Sequence, residues 1–285
     1  MAVYAPIYSK CIILWRLEVI VREVKCRSLL SESRLADYCI NPYVGCQHAC
    51  RYCYAESYTQ RFSPRREAWG DFVDIKINAP AVLSKEIRRR RKGEVFFSSL
   101  TDPYQPLERK YGLTRKLLGI LLEHQFPISI QTKSALVLRD LDLILKFEKR
   151  EVGFTVTTLD DTVRKMFEPA SSPAEERLQA IGKLKKEGVR TFIFFGPMLP
   201  FISDRELEQD LRRIAETGVD YIYVDRLNMK PGLWPKIETF LHSDLPLLHQ
   251  KWENVFMKNS DYYHNLKTRT ESITRELGLE VRFCY

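Results

Sequence analysis

Short runs rich in β-branched and aromatic residues alternate along this chain with longer stretches of helical periodicity. This alternation restricts the fold more than any other feature, because it is the pattern of parallel β/α units. Strands are predicted at 38–45, 94–100, 127–132, 152–158, 189–198 and 221–227. Helices are predicted between them at 80–92, 114–124, 136–149, 173–187 and 204–216. The sequence therefore predicts an α/β fold with a mainly parallel sheet.

Six β/α units are two short of a closed eight-stranded barrel. We therefore predict a partial (β/α)6 TIM barrel, open on one side, with its core in residues 31–230. Residues 1–30 are interpreted as an N-terminal extension, and residues 231–285 as a mostly helical C-terminal extension packed on the barrel. Within the C-terminal extension, 279–285 is predicted as a last strand or a sheet edge. The length of 285 residues suits one such domain.

Ligands of such folds bind at the carboxyl ends of the strands, where the βα loops converge. The predicted strand ends place a set of mostly polar residues at this rim: Cys46, Thr101, Asp102, Lys133, Thr157, Met198, Pro200, Arg226 and Asn228. A crowd of polar side chains with a cysteine is typical of an active site. We therefore predict that the active site lies at this rim.

Three cysteines follow the first predicted strand at a C-x3-C-x2-C spacing, namely Cys46, Cys50 and Cys53. Three thiolates on one loop can hold three irons of a [4Fe-4S] cluster and leave the fourth iron free for a small molecule. A structural zinc site is the alternative, with His48 or another thiol as the fourth ligand. Zinc sites more often combine two ligand pairs, and no second pair exists in this sequence. The spacing therefore favours a cluster over zinc.

Charge and cysteine usage indicate the broad class of protein. The chain has seven cysteines and a formal net charge of +8. An odd, partly clustered cysteine set indicates metal binding in a reducing cell rather than a disulfide framework. The positive charge suits a polyanionic partner such as nucleic acid without requiring one. The apolar stretch 12–21 contains Arg16 and Glu18 and is too short for a membrane span, so we expect a soluble, cytoplasmic, monomeric protein with no membrane partner.

The cysteine run, with Tyr52 before its last cysteine, resembles the signature of the radical S-adenosylmethionine (SAM) superfamily. More narrowly, the chain resembles the branch that contains spore photoproduct lyase and the proteins labelled DNA repair photolyase. Three further segments carry this resemblance: Thr101-Asp-Pro-Tyr-Gln-Pro-Leu-Glu108, Gln131-Thr-Lys133-Ser, and Phe167-Glu-Pro-Ala-Ser-Ser-Pro173 with Arg177. The combination covers about residues 38–230 and is more specific than any one motif.

The resemblance implies a [4Fe-4S] cluster on the three cysteines and SAM as the second cofactor. It implies reductive cleavage of SAM to a 5′-deoxyadenosyl radical, which abstracts hydrogen from a substrate, and an electron donor such as ferredoxin or flavodoxin as partner. Lys133 is expected to pair with the SAM carboxylate. Tyr52, Thr101 and Thr155 are expected to contact the cofactor. Arg177, which lies in a predicted helix, is interpreted as part of a surface salt bridge.

One residue departs from spore photoproduct lyase, which uses a cysteine beside its Ser/Thr-Asp-Pro motif to return a hydrogen atom to the repaired thymine. Alignment on Thr101-Asp-Pro103 puts Ser99 at the position of that cysteine. A serine O–H bond is much stronger than a thiol S–H bond, so serine does not readily donate hydrogen to a carbon radical. We therefore expect a reaction other than that of spore photoproduct lyase, and Cys39 is a candidate donor in its place.

Three functional classes follow from the sequence, in decreasing order of support. The first is a radical SAM enzyme that acts on a nucleic-acid lesion or base, supported by the resemblance, the positive charge and the mixture of arginines and aromatics at 60–69. The second is a radical SAM enzyme that acts on a small molecule or a peptide, supported by the missing donor cysteine. The third is a zinc-binding interaction protein without radical chemistry.

Overall fold

The computed structural model of the chain describes residues 19–64, 66–258 and 260–285. Its strands are β1 (Ile20–Val24), β2 (Leu30–Glu32), β3 (Tyr38–Ile40), β4 (Tyr43–Val44), β5 (Phe72–Lys76), β6 (Val95–Phe97), β7 (Ile128–Thr132), β8 (Arg150–Val156), β9 (Arg190–Met198), β10 (Tyr221–Arg226) and β11 (Val281–Phe283). Its helices are α1 (Ala55–Phe62), α2 (Ala79–Ile87), α3 (Glu108–Tyr111), α4 (Leu113–Glu123), α5 (Leu141–Ile144), α6 (Asp161–Phe167), α7 (Ala174–Lys186), α8 (Leu207–Glu216), α9 (Leu233–Asp244), α10 (Pro246–Met257) and α11 (Tyr262–Glu276), with a 3-10 helix at Ala135–Asp140. Within this described part of the chain, no helix is long and apolar enough to cross a membrane.

The main sheet has the strand order β11-β10-β9-β8-β7-β6-β3-β2. Within this sheet, β3, β6, β7, β8, β9, β10 and β11 pair in parallel with their neighbours, and β2 runs antiparallel to β3. The predicted α/β fold with a parallel sheet is therefore confirmed, and this sheet is open with β2 and β11 at its edges. β11 adds a seventh parallel strand and comes from the segment 279–285.

A smaller sheet of order β1-β5-β4 lies outside the sequence prediction. β1 pairs in parallel with β5, so that Ile20 lies opposite Phe72 and Val24 opposite Lys76. Local periodicity does not reveal this pairing because the two strands are short and far apart in the sequence. β1 belongs to the predicted N-terminal extension, whose residues 1–18 lie outside the described residues. The boundaries at 30/31 and 230/231 stay predictions.

Two segments differ from their predicted structure for local reasons. The predicted strand 38–45 divides into β3 and β4 around Pro42, which has no N–H group to donate to a sheet. The predicted helix 136–149 becomes the 3-10 helix followed by the short α5. At the end of the 3-10 helix, Asp140 turns inward and pairs with Arg139, with Oδ2 and Nη2 2.7 Å apart.

An aromatic cluster attaches the C-terminal hairpin of α9 and α10 to the carboxyl end of the main sheet. The ring of Phe167, at the end of α6, lies 5.0 Å from the ring of Phe240 on α9 and 6.1 Å from Trp252 on α10. Trp252 is fully buried and donates its Nε1–H to the carbonyl oxygen of Pro200 at 2.9 Å. Burying rings of this size contributes about 1.5–3 kcal/mol each. The hairpin thus covers one side of the rim where the predicted site residues lie.

Candidate functional site

The three predicted metal ligands lie on the loop that joins β4 to α1. Cys46 and Cys50 are 7% and 6% exposed, and Cys53 is half-buried. The loop turns at Gly45, whose φ of 87° is in the left-handed region, and a side chain there would meet the carbonyl oxygen of Phe72 at 2.5 Å. Burial raises the pKa of Cys46 and raises that of Cys50 to about 12. The loop therefore offers three thiols in an environment where thiolates need a metal partner.

The cysteine loop is tied to the loop that follows β6. Thr101 Oγ1 donates a hydrogen bond to the carbonyl oxygen of Gly45 at 2.7 Å, and Gln105 Nε2 donates to Thr101 Oγ1 at 3.0 Å. The backbone N–H of Gln47 donates to Gln105 Oε1 at 2.9 Å, and Gln47 Oε1 accepts from the N–H of Leu107 at 2.7 Å. Thr101, predicted as a cofactor contact, thus donates its hydroxyl proton to the backbone of the cysteine loop.

His48 holds the same loop from inside the motif. Its Nδ1 lies 2.9 Å from the carbonyl oxygen of Ala170, and its Nε2 lies 3.3 Å from Asp102 Oδ2. Asp102 also accepts hydrogen bonds from Thr132 Oγ1 at 2.7 Å and from the N–H of Lys133 at 2.8 Å. Burial would raise the pKa of Asp102, but His48 and these donors outweigh it and lower that pKa to about 2. Nδ1 of His48 is thus engaged with a backbone carbonyl, while Nε2 lies beside the carboxylate of Asp102.

Lys133 supplies the positive charge of the site. It follows β7 directly, and its ammonium group lies 5.7 Å from the ring centroid of Tyr52. Burial lowers the pKa of Lys133, but the electrostatic influence of Cys50, Glu168 and Asp102 outweighs it, and the net shift is upward. The side chain is therefore a cation held beside the cysteine loop, the arrangement that an anionic ligand requires.

A buried ionic network lies behind Tyr52. The Tyr52 hydroxyl donates to Glu168, which also accepts from Thr157 Oγ1 at 2.9 Å and from Ser171 Oγ at 3.1 Å. Arg177 Nη2 lies 2.6 Å from Glu168 Oε2, and both side chains are almost inaccessible to water. Burial would raise the pKa of Glu168, but the charge of Arg177 and the surrounding hydrogen bonds outweigh it and lower that pKa to about 2. This network fixes the orientation of Tyr52, the predicted aromatic of the motif.

The interpretation of Arg177 as part of a surface salt bridge is wrong. Arg177 is 1% exposed, and its Nη1 donates to the carbonyl oxygen of Thr155 at 2.7 Å. It lies on the same face of α7 as the buried Ile181 and Leu184, at the i, i+4 and i+7 spacing of a core-facing stripe. That spacing is readable in the sequence and places Arg177 against the sheet, where a charge needs a buried partner.

Sequence reasoning also misses Glu168, the partner of Arg177. Its signal is its place in the Phe167-Glu-Pro segment, which carries the family resemblance. Thr155, predicted as a cofactor contact, is buried in β8, and its hydroxyl accepts a hydrogen bond from Gln131 Nε2 at 3.0 Å. Its carbonyl oxygen accepts a hydrogen bond from Arg177, so both the hydroxyl and the carbonyl of Thr155 take part in hydrogen bonds within the protein.

Ser99, at the position of the lyase cysteine, contacts a buried thiol. Cys39 Sγ donates to Ser99 Oγ at 3.2 Å, and Asn41 Nδ2 donates to the same oxygen at 3.3 Å. The carbonyl oxygen of Ser99 accepts a hydrogen bond from the hydroxyl of Tyr54, which follows the last cysteine of the motif. The candidate donor Cys39, on β3, therefore lies next to Ser99 although the two residues are far apart in the sequence.

The structure thus brings Cys50, Tyr52 and Lys133 together at the carboxyl end of the sheet, while Thr101 and Thr155 take part in hydrogen bonds that hold the surrounding loops and strands. An open parallel β/α sheet with a thiol-rich loop and a half-buried cation at its carboxyl edge defines an α/β protein with a candidate metal site at the usual ligand-binding edge. The family is identified by comparison: a model described as Radical SAM superfamily matches residues 40–224. The chain belongs to the radical SAM superfamily of enzymes.

Three known proteins illustrate the similarity. An uncharacterized protein of Methanocaldococcus jannaschii is 34% identical over 219 residues, which are 75% of this chain and 80% of that protein. The radical SAM Nalpha-GlyT isomerase of Pseudomonas phage M6 is 21% identical over 206 residues, covering 71% of this chain and 41% of the isomerase. A double mutant of spore photoproduct lyase with bound AdoMet and dinucleoside spore photoproduct superposes with a TM-score of 0.68 at 15% identity, over 94% of this chain and 82% of that one. The last similarity establishes the shared fold.

Proposed function

We propose that this enzyme binds a [4Fe-4S] cluster through Cys46, Cys50 and Cys53, cleaves SAM reductively, and abstracts hydrogen from a base or lesion in nucleic acid. The observation that carries the proposal is the half-enclosed cysteine loop with the cation of Lys133 beside it. Family membership supports the same cofactors, as does the AdoMet bound to the structurally similar lyase. A ferredoxin or flavodoxin is the proposed electron donor.

The spacing of the thiols supports a cluster over a single zinc ion. Among the described residues, one group of three His, Cys, Asp or Glu ligand atoms lies within 4.8 Å of one another, and the cysteine loop does not contribute to it. Zinc–sulfur bonds of about 2.3 Å would hold tetrahedral thiolates about 3.8 Å apart. A cluster with four irons separates its thiolates more widely than one ion does. The three thiols are therefore not gathered as closely as the ligands of one zinc ion would be.

The chain's own residues would bind, orient and shield the cofactors. The three cysteines hold the cluster, and Lys133 pairs with the carboxylate of SAM. Glu168 and Arg177 fix Tyr52 behind the loop, and the buried positions of Cys46 and Cys50 limit the access of water to the reacting groups. When bound and reduced, the cluster supplies the electron that splits a carbon–sulfur bond of SAM.

Anaerobic reconstitution with iron and sulfide tests the cofactor proposal. We expect a brown protein with about four irons per chain, which forms 5′-deoxyadenosine from SAM after reduction with dithionite. The assay measures iron, sulfide and 5′-deoxyadenosine in the same sample. A colourless protein that binds one zinc per chain and forms no 5′-deoxyadenosine would refute the proposal and place the chain in the structural-zinc class.

The Lys133→Met variant tests the proposed contact with SAM. Removing a charge-assisted contact of this kind costs about 1.5–3 kcal/mol, so we expect the KM for SAM to rise at least about tenfold. Iron content should stay at the wild-type level, because Lys133 is not a ligand of the cluster. Lys186→Met, at an exposed position of α7, is the matched control. An unchanged KM in Lys133→Met, with normal iron, would contradict the proposed pairing.

A surface beside the cysteine loop supports nucleic acid as the substrate. Tyr58 and Phe62 are 40% and 73% exposed and lie at i and i+4 on one face of α1, and Tyr54, the residue before the helix, is 43% exposed. A cleft of about 530 Å³ lies next to α1 and is lined in part by Arg61 and Lys230. Exposed aromatic rings with adjacent cations are the combination that stacks bases and neutralises phosphates. The dinucleoside bound to the structurally similar lyase points to the same substrate class.

The double variant Tyr58→Ala/Phe62→Ala tests this surface. Each stacked base contributes about 1–3 kcal/mol, so we expect single-stranded DNA to bind at least about tenfold more weakly to the variant. Fluorescence anisotropy with a labelled oligonucleotide at several salt concentrations measures the effect, and wild-type affinity should fall as salt rises. Leu247→Ala removes a side chain that is 68% exposed on α10 and serves as the control. Equal affinity of the double variant and wild type, or no binding, would favour a small molecule or a peptide as substrate.

The proposed reaction differs from that of spore photoproduct lyase at the step that follows hydrogen abstraction. Ser99 has no thiol hydrogen to return to a substrate radical. Cys39 is a buried thiol outside the cysteine motif, and its Sγ lies 3.2 Å from Ser99 Oγ. We therefore include Cys39 in the proposal as the candidate hydrogen donor.

A further inference from the structure

Three metal-ligating side chains converge on the C-terminal hairpin, away from the cysteine loop. Glu238 and His242 are one turn apart on α9, and His249 lies in the first half of α10. One ligand atom from each of the three lies within 4.8 Å of the other two. Among the described residues, this is the one group of three His, Cys, Asp or Glu side chains whose ligand atoms lie this close together. We propose that Glu238, His242 and His249 form a second metal site, which takes a divalent ion such as Zn2+ and joins α9 to α10.

The environment of His249 supports ligation. Its Nε2 is buried and has no hydrogen-bond partner among the described residues. The carboxylate oxygen Oε1 of Glu238 lies 3.5 Å from that nitrogen, and the ring of His242 lies 3.8 Å from the ring of His249, centroid to centroid. A buried ring nitrogen without a partner costs free energy unless it binds a proton donor or a metal. A metal ion between the three side chains would satisfy it.

The backbone arrangement suits a tetrahedral ion. A carboxylate and an imidazole at i and i+4 point to the same side of a helix, which is the spacing by which helices commonly present two zinc ligands. Zinc–nitrogen bonds of about 2.0–2.1 Å require ligand atoms about 3.4 Å apart. Small rotations of two accessible side chains achieve this distance, because Glu238 is 41% exposed and His242 lies on the surface. Water would complete the coordination.

The neighbouring charged side chains of the hairpin are engaged elsewhere. Lys236 pairs with Glu56 on α1, and Lys251 lies over the ring of Phe201 at 5.3 Å. Glu253 accepts a hydrogen bond from Gln250 Nε2 at 2.7 Å. Lys236 and Lys251 therefore interact away from the three ligands and leave Glu238 available to a metal.

The donor set defines the class of ion. Two imidazoles and one carboxylate suit zinc and the other late divalent metals of the first transition row rather than magnesium or calcium. The site is proposed as structural, because the hairpin carries Phe240 and Trp252, which pack on Phe167 next to the buried Glu168. Binding an ion between α9 and α10 would therefore stabilise the cover of the radical site. The proposal does not depend on the cluster or on the substrate.

Zinc titration of the protein with its cluster reconstituted tests the site. The protein is dialysed anaerobically against Zn2+, and zinc and iron per chain are measured by mass spectrometry. We expect one zinc per chain in wild type and an affinity at least about tenfold lower in His249→Ala and in Glu238→Gln. His264→Ala, at an exposed histidine of α11, is the matched control and should bind zinc as wild type does. The iron measurement separates this site from the cysteine loop, since zinc bound by the cysteines would displace iron.

Thermal unfolding provides a second readout. Zinc at a concentration that just saturates the wild type should raise the Tm of wild type and of His264→Ala by about 5 °C and raise the Tm of His249→Ala by clearly less. The Tm without zinc reports whether each variant folds. Wild type that binds no zinc at this site, or zinc affinity that is equal in His249→Ala and wild type, would overturn the proposal. If iron reconstitution fails, the dependence of zinc binding on His249 still decides the matter.

Discussion

Replacing Cys50 by alanine is expected to abolish formation of 5′-deoxyadenosine. Three thiolates are the minimum set that holds a cubane with one open iron, and loss of one leaves a second iron without a protein ligand. Cys50 is 6% exposed and lies close enough to Lys133 and Glu168 for their charges to affect its pKa. We expect less than about 1% of the wild-type product. This corresponds to an activation free energy that is higher by roughly 3 kcal/mol or more.

Cys284→Ala is the control for this variant. Cys284 is also a free cysteine but is exposed after β11, far along the chain from the motif. It should keep wild-type iron content and activity, because it is outside the cluster loop. Near-normal product formation by reconstituted Cys50→Ala, with normal iron, would show that this cysteine does not hold the cluster and would remove the basis of the assignment.

The alternation of strands and helices makes most of the main sheet predictable. Strands β7, β8 and β9 are rich in β-branched and aromatic residues and are mostly buried between helices, so their local composition identifies them and their order follows from parallel β/α connections. The placement of Lys133 at the rim follows from the same rule, since it comes directly after β7, whereas Cys46 follows β4, a strand of the smaller sheet. The part of the site that depends on strand ends is therefore accessible from sequence.

Long-range polar partners are not accessible in this way. Glu168 is bonded to Tyr52, and Cys39 is bonded to Ser99, across large separations in the chain. Nothing in the local pattern of either residue specifies its partner, because the choice depends on which loops the fold brings together. The pairing of β1 with β5 has the same origin. Thr101 illustrates the converse: a residue chosen for cofactor contact by resemblance uses its hydroxyl to hold the cysteine loop.

Replacing Arg177 by methionine is expected to destabilise the protein strongly. Removing one partner of a buried ion pair leaves an uncompensated charge and typically costs about 3–5 kcal/mol. Glu168 and Arg177 are 0% and 1% exposed, so water cannot compensate the loss. Urea unfolding of the anaerobic protein measures the effect. The control is Arg212→Met, because Arg212 and Glu208 form an exposed pair on α8 that contributes about 0–1 kcal/mol.

The double variant Arg177→Met/Glu168→Gln separates the buried charge from lost packing. If the uncompensated carboxylate causes the penalty, removing its charge should restore part of the stability, and the double variant should be more stable than Arg177→Met alone. A double variant that is as unstable as the single one would assign the loss to packing instead.

The pH dependence of the free energy of unfolding tests whether the charge of Glu168 causes the loss of stability in Arg177→Met. In wild type the pKa of Glu168 is lowered to about 2, so its stabilising contribution is complete above its unfolded pKa and is lost as pH falls towards the folded value. Without Arg177 the folded pKa of Glu168 rises, because burial then opposes ionisation with less compensation. Protonation relieves the buried charge of the variant at a higher pH than in wild type.

We therefore expect the difference in unfolding free energy between Arg177→Met and wild type to narrow from about pH 7.5 to about pH 5, while the difference for Arg212→Met stays constant. A gap that is constant or widens as pH falls would mean that Glu168 is not the charge left uncompensated.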